Sequence, residues 1–228
     1  MTTRTLALVS AAILGWSNPA WAQLDKISNQ DATSGLKAAL EKGSQAAVTN
    51  LGKPDGFFGN GAVKIPLPDS LKRYEKLMRS VGMGKYADEL ILTMNRAAEA
   101  AVPEAKALLV DSVKKMTVQD AKGILTGGNT AGTEYFKRTT SEPLRGKFLP
   151  IVAQATKKVK LADKYNEYAA KGAKFGLVKK EDANLDSYVT QKALDGLFFM
   201  VAEEEKKIRE NPVKAGSEIL KKVFGALK

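Results

Sequence analysis

Histidine and cysteine are both absent from the 228-residue sequence. Without them there is no histidine-based triad, no cysteine nucleophile, no zinc site of nitrogen and sulfur ligands, no covalent c-type haem and no Glu-x-x-His di-iron site. No disulfide can form, so stability has to come from packing. With no cysteine after the N-terminal apolar run, a lipid-anchored exit is closed as well. Long apolar runs are also missing. The most apolar later stretch, Ala193–Ala202, has ten residues and contains Asp195, whereas spanning a bilayer takes roughly 20. The chemistry left open is serine with lysine, a carboxylate pair, or Ca²⁺ or Mg²⁺ on oxygen ligands.

What is present begins with a three-part secretory layout: Arg4, an apolar run from Leu6 to Leu14, and Ala20-Trp21-Ala22 as an A-x-A site. This predicts export, cleavage after Ala22, and a soluble mature chain, periplasmic or secreted, that starts at Gln23. The 206 residues that follow (228 − 22) are enough for a single helical domain, or two closely packed subdomains, over 23–228. Lys and Arg total 36 against 25 Asp and Glu, a net charge of +11. That excess favours an anionic membrane surface, a lipid or an envelope polymer as partner. Only seven of the basic residues are Arg and 29 are Lys, which disfavours nucleic acid, because bidentate guanidinium forks do most base and phosphate reading. A protein partner stays open, and the sequence implies no oligomeric state.

Apolar positions recur with a period near 3.6 and no sustained alternation is visible, so the chain reads as all-α, a bundle of about eight to nine helices with one long Gly/Pro-rich loop. A first helix starts near Ser28–Asp31, carries Leu36, Leu40, Ala47, Val48 and Leu51, and ends at Gly52. A second follows Pro68, with Asp69 or Ser70 as cap, and runs to Gly82. Tyr86–Ala101 makes a third, and Pro103 opens a fourth that reaches Met116. Thr117 and Asp120 have capping-box spacing, and the helix they start stops at Gly127-Gly128. Thr130–Thr139 reads as a short helix separate from Pro143–Lys158, which Pro150 would kink. Leu161–Phe175 follows. Asn184 caps Leu185–Glu210, the longest helix, whose middle is apolar on nearly every side. Glu203 with Lys207 and Glu205 with Arg209 have i,i+4 spacing. Asn211-Pro212 ends that helix, and an amphipathic helix, Val213–Leu227, closes the chain. Between Gly52 and Asp69, four glycines and three prolines forbid a long helix. Phe57, Phe58, Val63, Ile65 and Leu67 in the same stretch need apolar surface to lie on, so the reading is an ordered loop strapped across the bundle.

The run from Gly84 to Phe136, GKYADELILTMNRAAEAAVPEAKALLVDSVKKMTVQDAKGILTGGNTAGTEYF, resembles the exported bacterial family known as domain of unknown function 4197. IPLPDSL (Ile65–Leu71), KFLPIV (Lys147–Val152), YVTQKALDGLF (Tyr188–Phe198) and AEEEKKIRENP (Ala202–Pro212) are similar to it too. The resemblance covers nearly all of the mature chain. It implies an envelope location and one continuous helical domain, and it offers no catalytic residue to carry over.

Five places could carry binding. Phe57 and Phe58, set among glycines, are expected to put at least one ring in solvent, where it could touch a ligand, membrane or protein. Arg96 and Glu99, turned inward beside Asn95, would form a buried polar network. Gly127 and Gly128 lead into a helix whose first amides could hold an anion, with Lys137 and Arg138 two turns on; the plainer reading is a corner between helices. Lys157, Lys160 and Lys164, continued by Lys171 and Lys174, would line one helix face able to lie on an anionic membrane or simply to be solvated. Asp182, Asn184 and Asp186 imitate the opening of a calcium loop, but Ser187 and Ala193 stand where Gly and a bidentate Glu are required, so no metal and no cofactor is expected. The resulting expectation is a periplasmic, non-enzymatic binding or interaction protein that engages an anionic or apolar envelope component. Its alternative is an envelope hydrolase or transferase working with carboxylates or with Ser and Lys. Two facing carboxylates with raised pKa values would favour the enzyme, and an apolar groove would favour the binder.

Overall fold

Ser28 opens the first helix by accepting the Asp31 amide on its hydroxyl at 3.0 Å, and Gly52 closes it. A computed structural model describes residues 28–174 and 183–212 together with Lys221, Val223 and Phe224. The secretory segment 1–22, Asp182 and nearly all of the closing helix 213–227 lie outside the described residues. The helices are α1 (Asn29–Leu51), α2 (Asp69–Ser80), α3 (Gly84–Ala101), α4 (Ala105–Lys115), α5 (Val118–Thr126), α6 (Ala131–Thr156), α7 (Lys160–Lys174) and α8 (Leu185–Glu210). A 3-10 turn, Val102–Glu104, joins α3 to α4, so the described residues form seven helical runs when those two are counted as one, against the eight to nine helices expected of the chain. Among the described residues there is no strand, and no helix is long and apolar enough to cross a membrane.

Helix α8 is the axis of the bundle, packing on α6, α1 and α3. Leu194, Leu197 and Val201 of α8 meet Leu36 and Leu40 of α1, Leu90 and Met94 of α3, and Phe136 and Phe148 of α6 in one buried cluster. Alanines at 97, 98 and 101 are fully buried on α3, and their small side chains let neighbouring backbones come close. Among the described residues, helix α2 touches this cluster only through the partly buried Leu71 and Met78; its main neighbour is α3, with which it forms a hairpin.

The two helices expected at 130–139 and 143–158 are one continuous helix, α6, with Pro143 and Pro150 inside it. Both prolines are exposed, so water can satisfy the carbonyls they leave without an N–H. Leu144, Phe148 and Val152 of the same segment are fully buried and hold the helix to the core. Neither Asp69 nor Ser70 caps α2, which starts at Pro68 with no side-chain cap; Asp69 pairs with Lys72 at 2.7 Å and the Ser70 hydroxyl meets Tyr165 at 3.2 Å. Glu203 pairs with Lys206, and Lys207 with Glu204, so the i,i+4 pair of Glu203 with Lys207 is replaced by two i,i+3 pairs. Lys157 belongs to the turn after α6, so the lysine face begins at Lys160 on α7.

The capping box forms as its spacing predicts: the Asp120 amide donates to the Thr117 hydroxyl at 3.1 Å, while the Asp120 carboxylate takes the Thr117 hydroxyl at 2.7 Å and its amide at 3.1 Å. These bonds, the hydroxyl first, hold Asp120 below the ordinary carboxylate value. A group whose pKa is lowered by folding stabilises the fold above its ordinary value and loses that contribution as the pH falls through its folded value. Thr117→Val should therefore raise the Asp120 titration midpoint, read by NMR, and weaken α5 by about 1 kcal/mol. An unmoved midpoint would refute the assignment.

Candidate functional site

Residues 52–68 cross the bundle as a chain of turns followed by an extended piece. Asn60 organises the turns, its carbonyl accepting the amides of Val63 (3.1 Å) and Lys64 (2.8 Å). From 63 to 67 burial alternates, with Val63, Ile65 and Leu67 inward and Lys64 and Pro66 outward, the period of an extended segment lying on an apolar surface.

Three side chains of α3 fasten this strap. Positions 95, 96 and 99 share one helix face because three- and four-residue steps return to the same side. Asn95, fully buried, takes the Ile65 amide on Oδ1 at 2.8 Å and donates Nδ2 to the Ile65 carbonyl at 2.9 Å. The buried Glu99 accepts the amides of Phe57 (3.0 Å) and Phe58 (3.1 Å) on Oε1. Its other oxygen takes Arg96 at 2.6 Å, and Arg96 reaches on to Asp55 at 2.8 Å. Glu99 first and Asp55 second push the Arg96 guanidinium above its ordinary value. Helix α8 adds a fourth fastening, the Tyr188 hydroxyl donating to the Pro66 carbonyl at 3.0 Å. Glu99 thus points inward to the strap amides, while Arg96, its side chain 41% exposed, stays at the surface and links Glu99 to Asp55.

Phe57 is fully buried. Its ring lies where α8 has Gly196: a Cβ added there would sit 2.6 Å from Phe57 Cε1. Expecting a solvent-exposed aromatic tip therefore fails. Phe57 is a core anchor, and Phe58 is half-buried with Lys64 Nζ 4.1 Å and the Arg96 guanidinium 5.8 Å from its ring centroid.

Beside Phe58 opens a cleft of about 480 Å³ between the strap and the α2–α3 hairpin. Phe58, Leu67 and Ile91 give it apolar walls, and Lys64, Lys72 and Arg79 bring cations to it. Arg79 is bound by Glu75 at 2.9 Å and Asp88 at 2.6 Å, which raises it further above its ordinary value. In return Arg79 holds Asp88 below the usual carboxylate range. Asp69 similarly raises Lys72. Lys64 has no carboxylate within ion-pair distance among the described residues, although its charge helps Arg79 to hold Asp88 down.

At the other end of α8, Glu205 is buried and accepts the Gly132 amide (2.9 Å), the Thr133 amide (2.8 Å) and the Thr133 hydroxyl (2.8 Å). Arg209 pairs with it at 2.8 Å and donates to the Ile124 carbonyl at 3.0 Å. The anion held by the α6 N-terminus is therefore an internal carboxylate, and Gly127 and Gly128 form the exposed corner that leads there. Lys137 pairs with Glu134 at 2.7 Å, and Arg138 lies 3.5 Å from Asp120 and 5.4 Å from the Tyr135 centroid. Lys157, Lys160 and Lys164 are exposed at and after the α6–α7 turn. The structure unites Phe57, Phe58, Arg96 and Glu99 at the strap and leaves the remaining candidates on other elements. Lys64 and Arg79 escaped the sequence reading, and Glu205 was read only as the partner of Arg209, because its amide and hydroxyl donors lie 72 and 73 positions away. At the calcium-like stretch, Asn184 caps α8 by accepting the Ser187 amide at 2.9 Å and Asp186 accepts the Thr156 hydroxyl. Among the described residues no three metal-ligating side chains converge.

Fold and site together define an all-helical bundle with a polar-clamped strap beside an open, cation-rimmed cleft. The chain belongs to the family described as protein of unknown function DUF4197, whose profile matches residues 26–225. No curated protein and no solved structure matches it.

Proposed function

We propose that this protein is a non-enzymatic binding module of the cell envelope that takes an anionic amphiphile in the cleft beside Phe58. The observation that carries the reading is Lys64: an ammonium beyond ion-pair distance of every carboxylate among the described residues, placed over an aromatic ring at the mouth of a cleft of about 480 Å³, a size within the ~300–1,000 Å³ range of small-molecule sites. An anionic headgroup meets Lys64, and an apolar tail lies along Phe58, Leu67 and Ile91. Glu75 and Asp88, the carboxylates of the cleft, are both bound to Arg79. With Asp88 lowered rather than raised, it is ionised at neutral pH and holds no proton to donate, which weighs against acid–base chemistry there. The secretory layout of residues 1–22 and the net charge of +11 support the envelope setting.

Calorimetric titration with octyl phosphate tests this. One equivalent should bind, and Lys64→Glu should weaken it at least about tenfold, the loss of one charge-assisted contact. Lys157→Glu, away from the cleft, should leave the affinity unchanged. Equal binding by the Lys64 variant, or none by the unaltered protein, contradicts the reading.

A further inference from the structure

The α2–α3 hairpin ends in an apolar tip that the bundle does not cover. Leu77 is 61%, Val81 60%, Met83 47% and Tyr86 43% exposed, four large apolar side chains within ten positions. Monomeric soluble proteins seldom leave such a cluster open without a use for it. The tip backbone closes on itself as helices that end at a left-handed glycine commonly do. Gly82, at φ 76°, takes the left-handed conformation that lets the chain turn back. The Gly82 amide then reaches the Arg79 carbonyl at 3.3 Å, and the Met83 amide the Met78 carbonyl at 2.8 Å. The Leu77 carbonyl accepts both the Val81 amide at 3.2 Å and the Ser80 hydroxyl at 2.8 Å. These bonds satisfy the carbonyls of Leu77, Met78 and Arg79 within the chain.

Charge chooses the partner. From Lys76 to Ala87 the chain has three cations and no acidic residue; Arg79 is bound by the flanking Glu75 and Asp88, which leaves Lys76 and Lys85 as the cations of the tip. Lys76 and Lys85 are exposed, with no carboxylate at ion-pair distance among the described residues, and Lys85 Nζ sits 5.2 Å from the Tyr86 centroid. An apolar point collared by unpaired lysines and bearing a tyrosine is built for the boundary between headgroups and acyl chains of an anionic bilayer. A second copy is a poor occupant, since it would set the same cations against these on chains that each carry +11. The geometry points to the α2–α3 tip as the element that docks this protein on anionic lipid, Leu77, Val81 and Met83 entering the boundary and Lys76 and Lys85 contacting headgroups. Leu77, Val81 and Met83 do not line the cleft, so this docking stands or falls apart from octyl phosphate binding there.

Co-sedimentation of the full chain with vesicles of phosphatidylglycerol mixed with phosphatidylcholine, compared with vesicles of phosphatidylcholine alone, is the test. Every variant shares the same N-terminal residues, so differences between variants report the tip. The unaltered chain should bind the anionic vesicles; Leu77→Asp with Val81→Asp, and separately Lys76→Glu with Lys85→Glu, should each lower binding by about tenfold or more, with unchanged thermal unfolding. Because the chain has no cysteine, a polarity-sensitive dye on Met83→Cys should shift to the blue on anionic vesicles, and the same dye on Gln154→Cys should not. Wild-type binding by both double variants, no binding by the unaltered chain, or an unshifted Met83 dye would each overturn the proposal. A fall in sedimentation coefficient of the lipid-free protein on tip substitution would overturn it too, assigning the surface to self-association.

Discussion

Glu205→Ala should lower the unfolding free energy by about 3–5 kcal/mol, the cost typical of removing one partner from a buried ion pair. The side chain joins α8 to the start of α6 through three hydrogen bonds from Gly132 and Thr133. Its removal strips those donors and leaves Arg209, itself only 10% exposed, without its carboxylate. Buried donors left without acceptors lose their desolvation cost outright, about 1–3 kcal/mol each. Glu205→Gln keeps the volume but points an amide group at other donors, so it should lie between the alanine variant and the parent. Chemical denaturation followed by circular dichroism measures all three. A Glu205→Ala midpoint indistinguishable from the parent would mean that the α6–α8 junction is not formed in solution.

Phe57→Ala should cost about 3–5 kcal/mol, as loss of a fully buried ring does. Phe58→Ala, at the cleft mouth, should cost under about 1 kcal/mol. The asymmetry follows from where neighbouring residues of one strap point. Both amides go to Glu99, yet the Phe57 ring enters the core against Gly196 while Phe58 stays half-buried beside Lys64. Gly196→Val should reproduce the Phe57 defect by filling the ring's space from the opposite side. Equal, small losses for the two phenylalanine variants would detach the strap from the core and remove the wall on which the cleft depends.

Features decided within a few residues were legible in the sequence. Thr117 with Asp120, and Asn184, cap their helices as read, since each bond spans three positions, and α1 starts inside the stretch read for it, Ser28–Asp31. The all-helical class followed from a periodicity repeated over the whole chain, and the family resemblance from long motifs. Features decided by distant partners were not legible. Pro143 and Pro150 look like breakers locally, but burial of Leu144, Phe148 and Val152 outweighs them and α6 runs through. Glu205 with Arg209 could be read as an i,i+4 pair; its acceptor role could not, because Thr133 and Gly132 lie 72 and 73 positions away. Which of Phe57 and Phe58 is the anchor was not readable among the glycines, because the glycine that receives the Phe57 ring belongs to α8. At the strap the inward turn of Glu99 was readable from helix spacing. The unpaired Lys64 was not, since a lone lysine in a loop has no sequence signature.

Mass spectrometry of the intact protein, purified from cells without detergent or denaturant, tests the binding role most directly. The account predicts a species heavier than the polypeptide by one anionic amphiphile, lost from Lys64→Glu and retained by Lys157→Glu. A bare polypeptide mass from every preparation, or the same adduct on the Lys64 and Lys157 variants alike, would contradict it.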